Sequence, residues 1–139
     1  MGLIHLDAGV IIGFLDRNDA HPEKARAVLS DALRTRDRLA MAASAFAECL
    51  VGPARRGDKA VATVRQLVER FPIMIVPLDI EVAIVAARLR AAHKGLRLPD
   101  ALVIATATNA PADQLITTDR GWPTAKALKL KTLVIHGRW

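Results

Sequence analysis

Tyrosine is absent from the 139-residue chain, and tryptophan and phenylalanine together make up only 4% of it. A protein that grips single-stranded RNA by base stacking alone needs a platform of rings, which this composition excludes. The core must instead be built from Ala, Val, Leu and Ile. A single cysteine, Cys49, rules out an internal disulfide framework and suits a reducing cytosol. No apolar run is long enough to span a bilayer. The N-terminus lacks the basic region of a secretory signal, and Asp7 interrupts its first apolar run. "MGLIHL" carries Leu6 where a myristoylation signal needs Ser or Thr. The expectation is a cytoplasmic protein with no membrane partner. What is present, 52% hydrophobic and 24% charged residues, fits one globular domain over residues 1–139. The net charge of +6 favours polyanionic partners such as nucleic acid.

Short apolar runs alternate with longer helical patterns. Strands are expected at Leu3–Leu6, Leu39–Ala42, Met74–Val76, Leu115–Thr117 and Leu133–Ile135. All are too short to alternate clearly, as strands covered on both faces are. Helices are expected after Asp7 to about Leu15 and from Pro22 through "HPEKARAVLSDAL". Another opens in "SAFAECLVGPA", with Ser44 as N-cap and Pro53 as a break or kink. Asp58 to about Phe71 follows; then a helix capped by Asp79 at its start and Gly95 at its end. Pro99 opens the next, and Trp122 to Leu128 forms a last short one. Strands separated by helices in this way predict a three-layer α/β/α fold around a mainly parallel sheet of about five strands.

"LPDALVIATA" poses a question of its own. As a helix it is apolar on nearly every side except at Asp100. A buried carboxylate must be neutral, paired, or holding a metal. Three other acids stand in comparable places. Asp7 follows "LIHL" at the carboxyl end of the first strand, Asp119 follows "LITT" at the carboxyl end of the fourth, and Glu48 lies one turn into the helix after the second. If the Asp100 helix packs antiparallel to the fourth strand, all four converge on the crevice where open α/β sheets bind ligands. Asp7 and Asp119 also read as caps of the turns that follow them. Four carboxylates in one crevice repel and raise each other's pKa, unless a hard cation such as Mg²⁺ or Mn²⁺ sits among them. Such ions activate water and stabilise a phosphodiester transition state. The neighbouring helix N-termini would help keep Asp7, Glu48 and Asp100 ionised.

"LIHLDAGVIIGFL", "SAFAECLVG", "LPDALVIATA" and "LITTDRGW" resemble, in order and spacing, the four acidic signatures of PIN-domain proteins. The resemblance covers essentially the whole chain. With "HPEKARA" after the first helix, it is most similar to VapC-type toxins of toxin–antitoxin pairs. What the resemblance implies is a metal-dependent endoribonuclease with Asp7, Glu48, Asp100 and Asp119 as its acidic quartet and metal ligands. It also implies an RNA substrate, a homodimer, and a small antitoxin lying in an apolar groove near the site. A metal-activated water would leave 5′-phosphate and 3′-hydroxyl ends. One departure is visible: the family usually follows its first Asp with Thr or Ser and a second small polar residue. Ala8 and Gly9 stand there, so a hydroxyl that could support Asp7 is missing. Thr117 and Thr118 match the family pattern before Asp119.

Arg120, beside Asp119, and Thr118 are the candidates to touch RNA; Arg55, Arg56, Lys94 and Arg97 read as solvated. Cys49 reads as a small buried hydrophobe. His5 shares strand parity with Asp7 and reads as buried and hydrogen-bonded. The histidines His5, His21, His93 and His136 show no metal spacing. Two rivals remain: a non-catalytic nucleic-acid or protein-binding scaffold on the same fold, and an α/β phosphotransfer protein. A dehalogenase-type phosphatase needs a second Asp where Gly9 stands, and a receiver needs a late lysine that "LITTD" does not supply.

Overall fold

The computed structural model describes residues 2–15, 22–110 and 112–135. Its elements are β1 (Leu3–Leu6), α1 (Ala8–Leu15), α2 (Pro22–Arg34), β2 (Arg38–Ala42), α3 (Ala43–Arg56), α4 (Asp58–Arg70), β3 (Ile73–Val76), α5 (Ile80–Ala92), α6 (Leu98–Asn109), β4 (Gln114–Thr117), α7 (Ala125–Leu128) and β5 (Leu133–Ile135). The five strands form one sheet in the order β3-β2-β1-β4-β5, and every neighbouring pair is parallel. The expected strands are therefore present within a residue at either end. Consecutive residues of β1, β2 and β4 are buried, among them Ile4, His5, Leu6, Leu39, Ala40, Met41, Leu115 and Ile116. Successive strand residues point to opposite faces, so both faces of the sheet are covered.

From β1 the chain winds outward through β2 to β3, then returns to lay β4 on the other side of β1. Right-handed crossovers in both directions put helices on both faces. The reversal also makes the gap between β1 and β4 a topological switch point, where strands in such sheets leave a crevice at their carboxyl ends. The core beneath it is aliphatic, with Leu6, Ile11, Met41, Ile104 and Leu115 fully buried. In α6 the middle of the helix, from Ala101 through Ala107 apart from Leu102, is buried, as an all-round apolar pattern requires.

Several local expectations are corrected. Strand β2 runs directly into α3, whose N-cap is Ala42 without a side-chain bond; Ser44 lies inside the helix. Pro53 does not break α3, which continues to Arg56. The turn to α4 is made by Gly57 at φ 121°, a conformation that favours glycine. Helix α4 ends at Arg70, one residue short of Phe71. Asp79 does cap α5, accepting from the Val82 amide at 2.9 Å. The other end is capped by His93 in extended backbone, not by Gly95. The last helix begins at Ala125, capped by the Thr124 hydroxyl, so Trp122 belongs to the turn before it. Among the described residues, no helix is long and apolar enough to cross a membrane.

Candidate active site

Asp7 leaves β1 at the switch point, and its amide bonds the Ile116 carbonyl at 2.8 Å, extending the β1–β4 ladder by one residue. Its carboxylate is 9% exposed as a residue and fully engaged. Oδ1 accepts the Ala8 amide at 2.8 Å, and Oδ2 accepts the Thr117 hydroxyl at 2.7 Å. The Oδ1 bond reaches Ala8, the first residue of α1, and not the second- or third-residue amide that an N-cap side chain takes. Burial still pushes its pKa up, against the two hydrogen bonds, and the charges of Asp100 and Asp119 push the same way.

Thr117 ties two acids together. Its hydroxyl donates to Asp7 and accepts the Asp119 amide at 3.0 Å. Asp119 in turn closes its own turn, Oδ1 accepting the Gly121 amide at 2.8 Å. The sequence pattern pointed to Thr117 but not to this double role. No hydroxyl follows Asp7 in the chain, but one from the neighbouring strand β4 donates to it. Gly9 is explained by the same strand end: a Cβ on Gly9 would overlap the Thr118 hydroxyl. Thr118 therefore packs on the first turn of α1, while Arg120 is exposed.

Asp100 lies in the first turn of α6 with its side chain 15% exposed, and it has a partner. The Arg97 Nε approaches Oδ2 at 3.5 Å from a guanidinium that is 77% exposed. The spacing of three residues across a helix start was the available signal, and Arg97 is accordingly not simply solvated. Burial raises the pKa of Asp100; Arg97 opposes it and Asp119 reinforces it. Glu48 lies in the second turn of α3 and is more exposed. Its pKa is raised by burial and by Asp7 and Asp100, with Arg97 opposing. Asp7, Glu48 and Asp100 are each close enough to others of the four acids for the neighbouring charges to raise their pKa. For Asp7, Glu48 and Asp100 burial is the largest cause of the upward shift, with carboxylate repulsion adding to it. Among the described residues, no group of three acids, histidines or cysteines is drawn close enough to hold one ion.

A groove of about 790 Å³ opens beside Glu48, lined also by Ile12, Leu15, Gly52, Pro53 and Val64. Asp7, Asp100 and Asp119 do not line it. Cys49 is buried in its floor, its thiol pushed up to about 12 mainly by burial, and it points at the Ala8 carbonyl. It is an inert packing group, as expected. His5 is buried with its pKa lowered to about 4 by desolvation, so it is neutral. Its Nε2 finds no hydrogen-bond partner, contrary to expectation. His21 and His136 lie outside the described residues.

This fold has known counterparts. The PIN domain family model matches residues 4–128. The chain belongs to the PIN domain family. Solved structures with the same fold include VapBC2 from Rickettsia felis bound to a promoter DNA fragment, with a TM-score of 0.72 at 14% identity, covering 99% of this chain and 98% of that one. FitAcB from Neisseria gonorrhoeae aligns with a TM-score of 0.68 at 24% identity, over 94% and 96% of the two chains. VapC20 from Mycobacterium tuberculosis, a Sarcin-Ricin loop cleaving toxin, aligns with a TM-score of 0.68 at 13% identity, over 85% and 91%. No curated protein sequence matches the chain at a significant level.

Proposed function

We propose that the chain is a cytoplasmic, metal-dependent endoribonuclease, folded as one PIN domain over residues 1–139 and acting as the toxin of a toxin–antitoxin pair. The observation that supports the reading most is the Thr117 bridge, which joins Asp7 and Asp119 at the carboxyl ends of β1 and β4, with the charge of Asp100 also acting on Asp7 and that of Asp7 on Glu48. A purely structural set of caps has no reason to accumulate that repulsion. The donor set is all carboxylate oxygen, which fits Mg²⁺ or Mn²⁺. Mg²⁺ usually binds through one or two carboxylates and keeps several waters, so it does not require three acids in mutual contact. Asp7 and Asp100 would be the direct ligands, with Glu48 and Asp119 completing the set. A cation held there supplies charge neutralisation and a water of lowered pKa for attack on a phosphodiester.

The chain's own residues supply the rest. Thr117 orients Asp7 and fixes the backbone of Asp119. The exposed Arg120 and the Thr118 hydroxyl would meet RNA phosphates at the rim. The apolar groove beside Glu48 fits an apolar segment of a small antitoxin; several of the similar structures are toxin–antitoxin complexes. Met74 on the edge strand β3, Leu78 after it, and Ile80 and Ile84 of α5 are exposed apolar residues that would suit a second copy of the chain in a homodimer. The scaffold alternative has one observation in its favour, the lack of a preassembled ion cage among the described residues.

The deciding experiment incubates purified protein with structured cellular RNAs, with Mg²⁺ or with EDTA, and maps the fragment ends. Metal-dependent cleavage with 5′-phosphate ends is expected. Cleavage that survives EDTA, or ends in 2′,3′-cyclic phosphate, would sink the mechanism. No cleavage of any RNA would favour the scaffold.

A further inference from the structure

Arg97 stands where a helix start disfavours it. It is the N-cap residue of α6, in extended backbone at φ −75° and ψ 153°, and its side chain makes no capping hydrogen bond. N-caps favour short polar side chains that accept from the first turn. A cation at a helix N-terminus also opposes the macrodipole. Local helix chemistry therefore gives no reason for arginine at this position. What it does meet is an acid of the site, its Nε approaching Asp100 Oδ2 at 3.5 Å. The two partners differ in their setting: the Asp100 side chain is 15% exposed and that of Arg97 is 77% exposed. The charge of Arg97 also reaches Glu48, on α3, which packs against α6. An exposed pair at this length is weak and readily exchanged. Asp100 is fixed in the first turn of α6, whereas Arg97 ends in solvent, so the arginine is the partner free to move.

We infer that Arg97 is a phosphate-binding residue for the RNA: its guanidinium rests on Asp100 and transfers to a phosphate of the strand that enters the acidic crevice. A guanidinium presents its N–H donors in a rigid fork that fits carboxylate and phosphate alike. The two anions are therefore interchangeable partners for one side chain. Acids alone would repel an RNA backbone, and a cation at their rim offsets that repulsion. While it rests on Asp100, Arg97 also competes with a divalent cation for the same carboxylate. The inference deepens the ribonuclease reading and rests on it, but its RNA contact can be read without metal and without cleavage.

The test measures binding of a fluorescein-labelled RNA hairpin with a single-stranded loop, by anisotropy in EDTA, from about 50 to 300 mM salt. Arg97→Gln should bind about three- to tenfold more weakly than wild type, and its log–log salt slope should fall by about 0.7–0.9, the value of one phosphate contact. Arg97→Lys keeps the charge and should recover most of the slope. Arg65→Gln removes the same charge from an exposed ion pair on α4 and should bind like wild type. Calorimetry reads the resting pair: freed of its competitor, Asp100 in Arg97→Gln should bind Mg²⁺ about three- to fivefold more tightly than in wild type. A salt slope unchanged in Arg97→Gln, or a loss that Arg65→Gln reproduces, would overturn the phosphate contact. Mg²⁺ affinity unchanged or weakened in Arg97→Gln would overturn the resting pair. Wild-type protein that holds no RNA would remove both the inference and the ribonuclease reading. Wild-type protein that takes up no Mg²⁺ would remove only the metal reading, and the salt slopes would still decide the role of Arg97.

Discussion

Asp100→Asn separates a functional acid from a structural one, because the two roles give stability changes of opposite sign. The wild-type carboxylate has a partner in Arg97, but the guanidinium is exposed and the pair is worth about 0–1 kcal/mol. Against it stand partial burial and the charges of Asp7, Glu48 and Asp119. In a water-like medium each nearby like charge costs at most about 1 kcal/mol. The variant should therefore gain about 1 kcal/mol at pH 7 without metal, or roughly 4 °C in melting temperature for a chain of this size. The pH dependence follows from the direction of the shift. Folding raises the pKa of Asp100 above its unfolded value, so the native state binds protons more readily. Its penalty is absent below the unfolded pKa near 4 and grows as pH rises through the folded one. The advantage of Asp100→Asn should accordingly be full at pH 7 and vanish toward pH 4. Urea denaturation in EDTA from pH 4 to pH 8 measures it, with RNA cleavage as the second readout. A loss above about 1 kcal/mol at pH 7, with cleavage retained, would refute the reasoning and make Asp100 a structural residue.

Thr117→Val keeps the shape but strands Asp7 Oδ2 and the Asp119 amide, one of them a charged acceptor. It should cost about 1.5–3 kcal/mol at neutral pH by chemical denaturation, and a change under 0.5 kcal/mol would remove the bridging role. Gly9→Ala puts a methyl into the Thr118 hydroxyl. It should destabilise the chain by about 1–3 kcal/mol, while Gly9→Ala with Thr118→Ala recovers most of that loss; simple additivity in this double-mutant cycle would count against the contact.

The strands were legible because all five are short apolar runs bounded by turn chemistry, and chain order alone then carried Asp7 and Asp119 to adjacent strand ends. Helix boundaries were less legible where tertiary packing overrode local signals. Ser44 looked like a cap, but β2 turns into α3 with no intervening loop, leaving no room for an extended Ser44. Pro53 looked like a break, yet it is buried within α3, where the surrounding packing holds the helix together. Gly95 looked like a C-cap, but the helix is capped two residues earlier by His93, with no left-handed residue needed.

The site was legible in its acids and illegible in what holds them. Acids announce themselves because a carboxylate among aliphatics is costly, whereas a threonine in a strand is ordinary. The departure from the family at Ala8 and Gly9 looked like a loss of support for Asp7. The support comes instead from Thr117, 110 residues away in sequence but on the neighbouring strand. Gly9 then follows from Thr118, whose hydroxyl occupies the space of its side chain. Thr117 and Thr118 fit the family pattern before the last acid, and in this chain they also support Asp7 and pack against Gly9 across the β1–β4 seam. That arrangement predicts dependence between the two segments: the "DAG" turn and the "TTD" turn should tolerate substitution only together, because the packing of each is completed by the other.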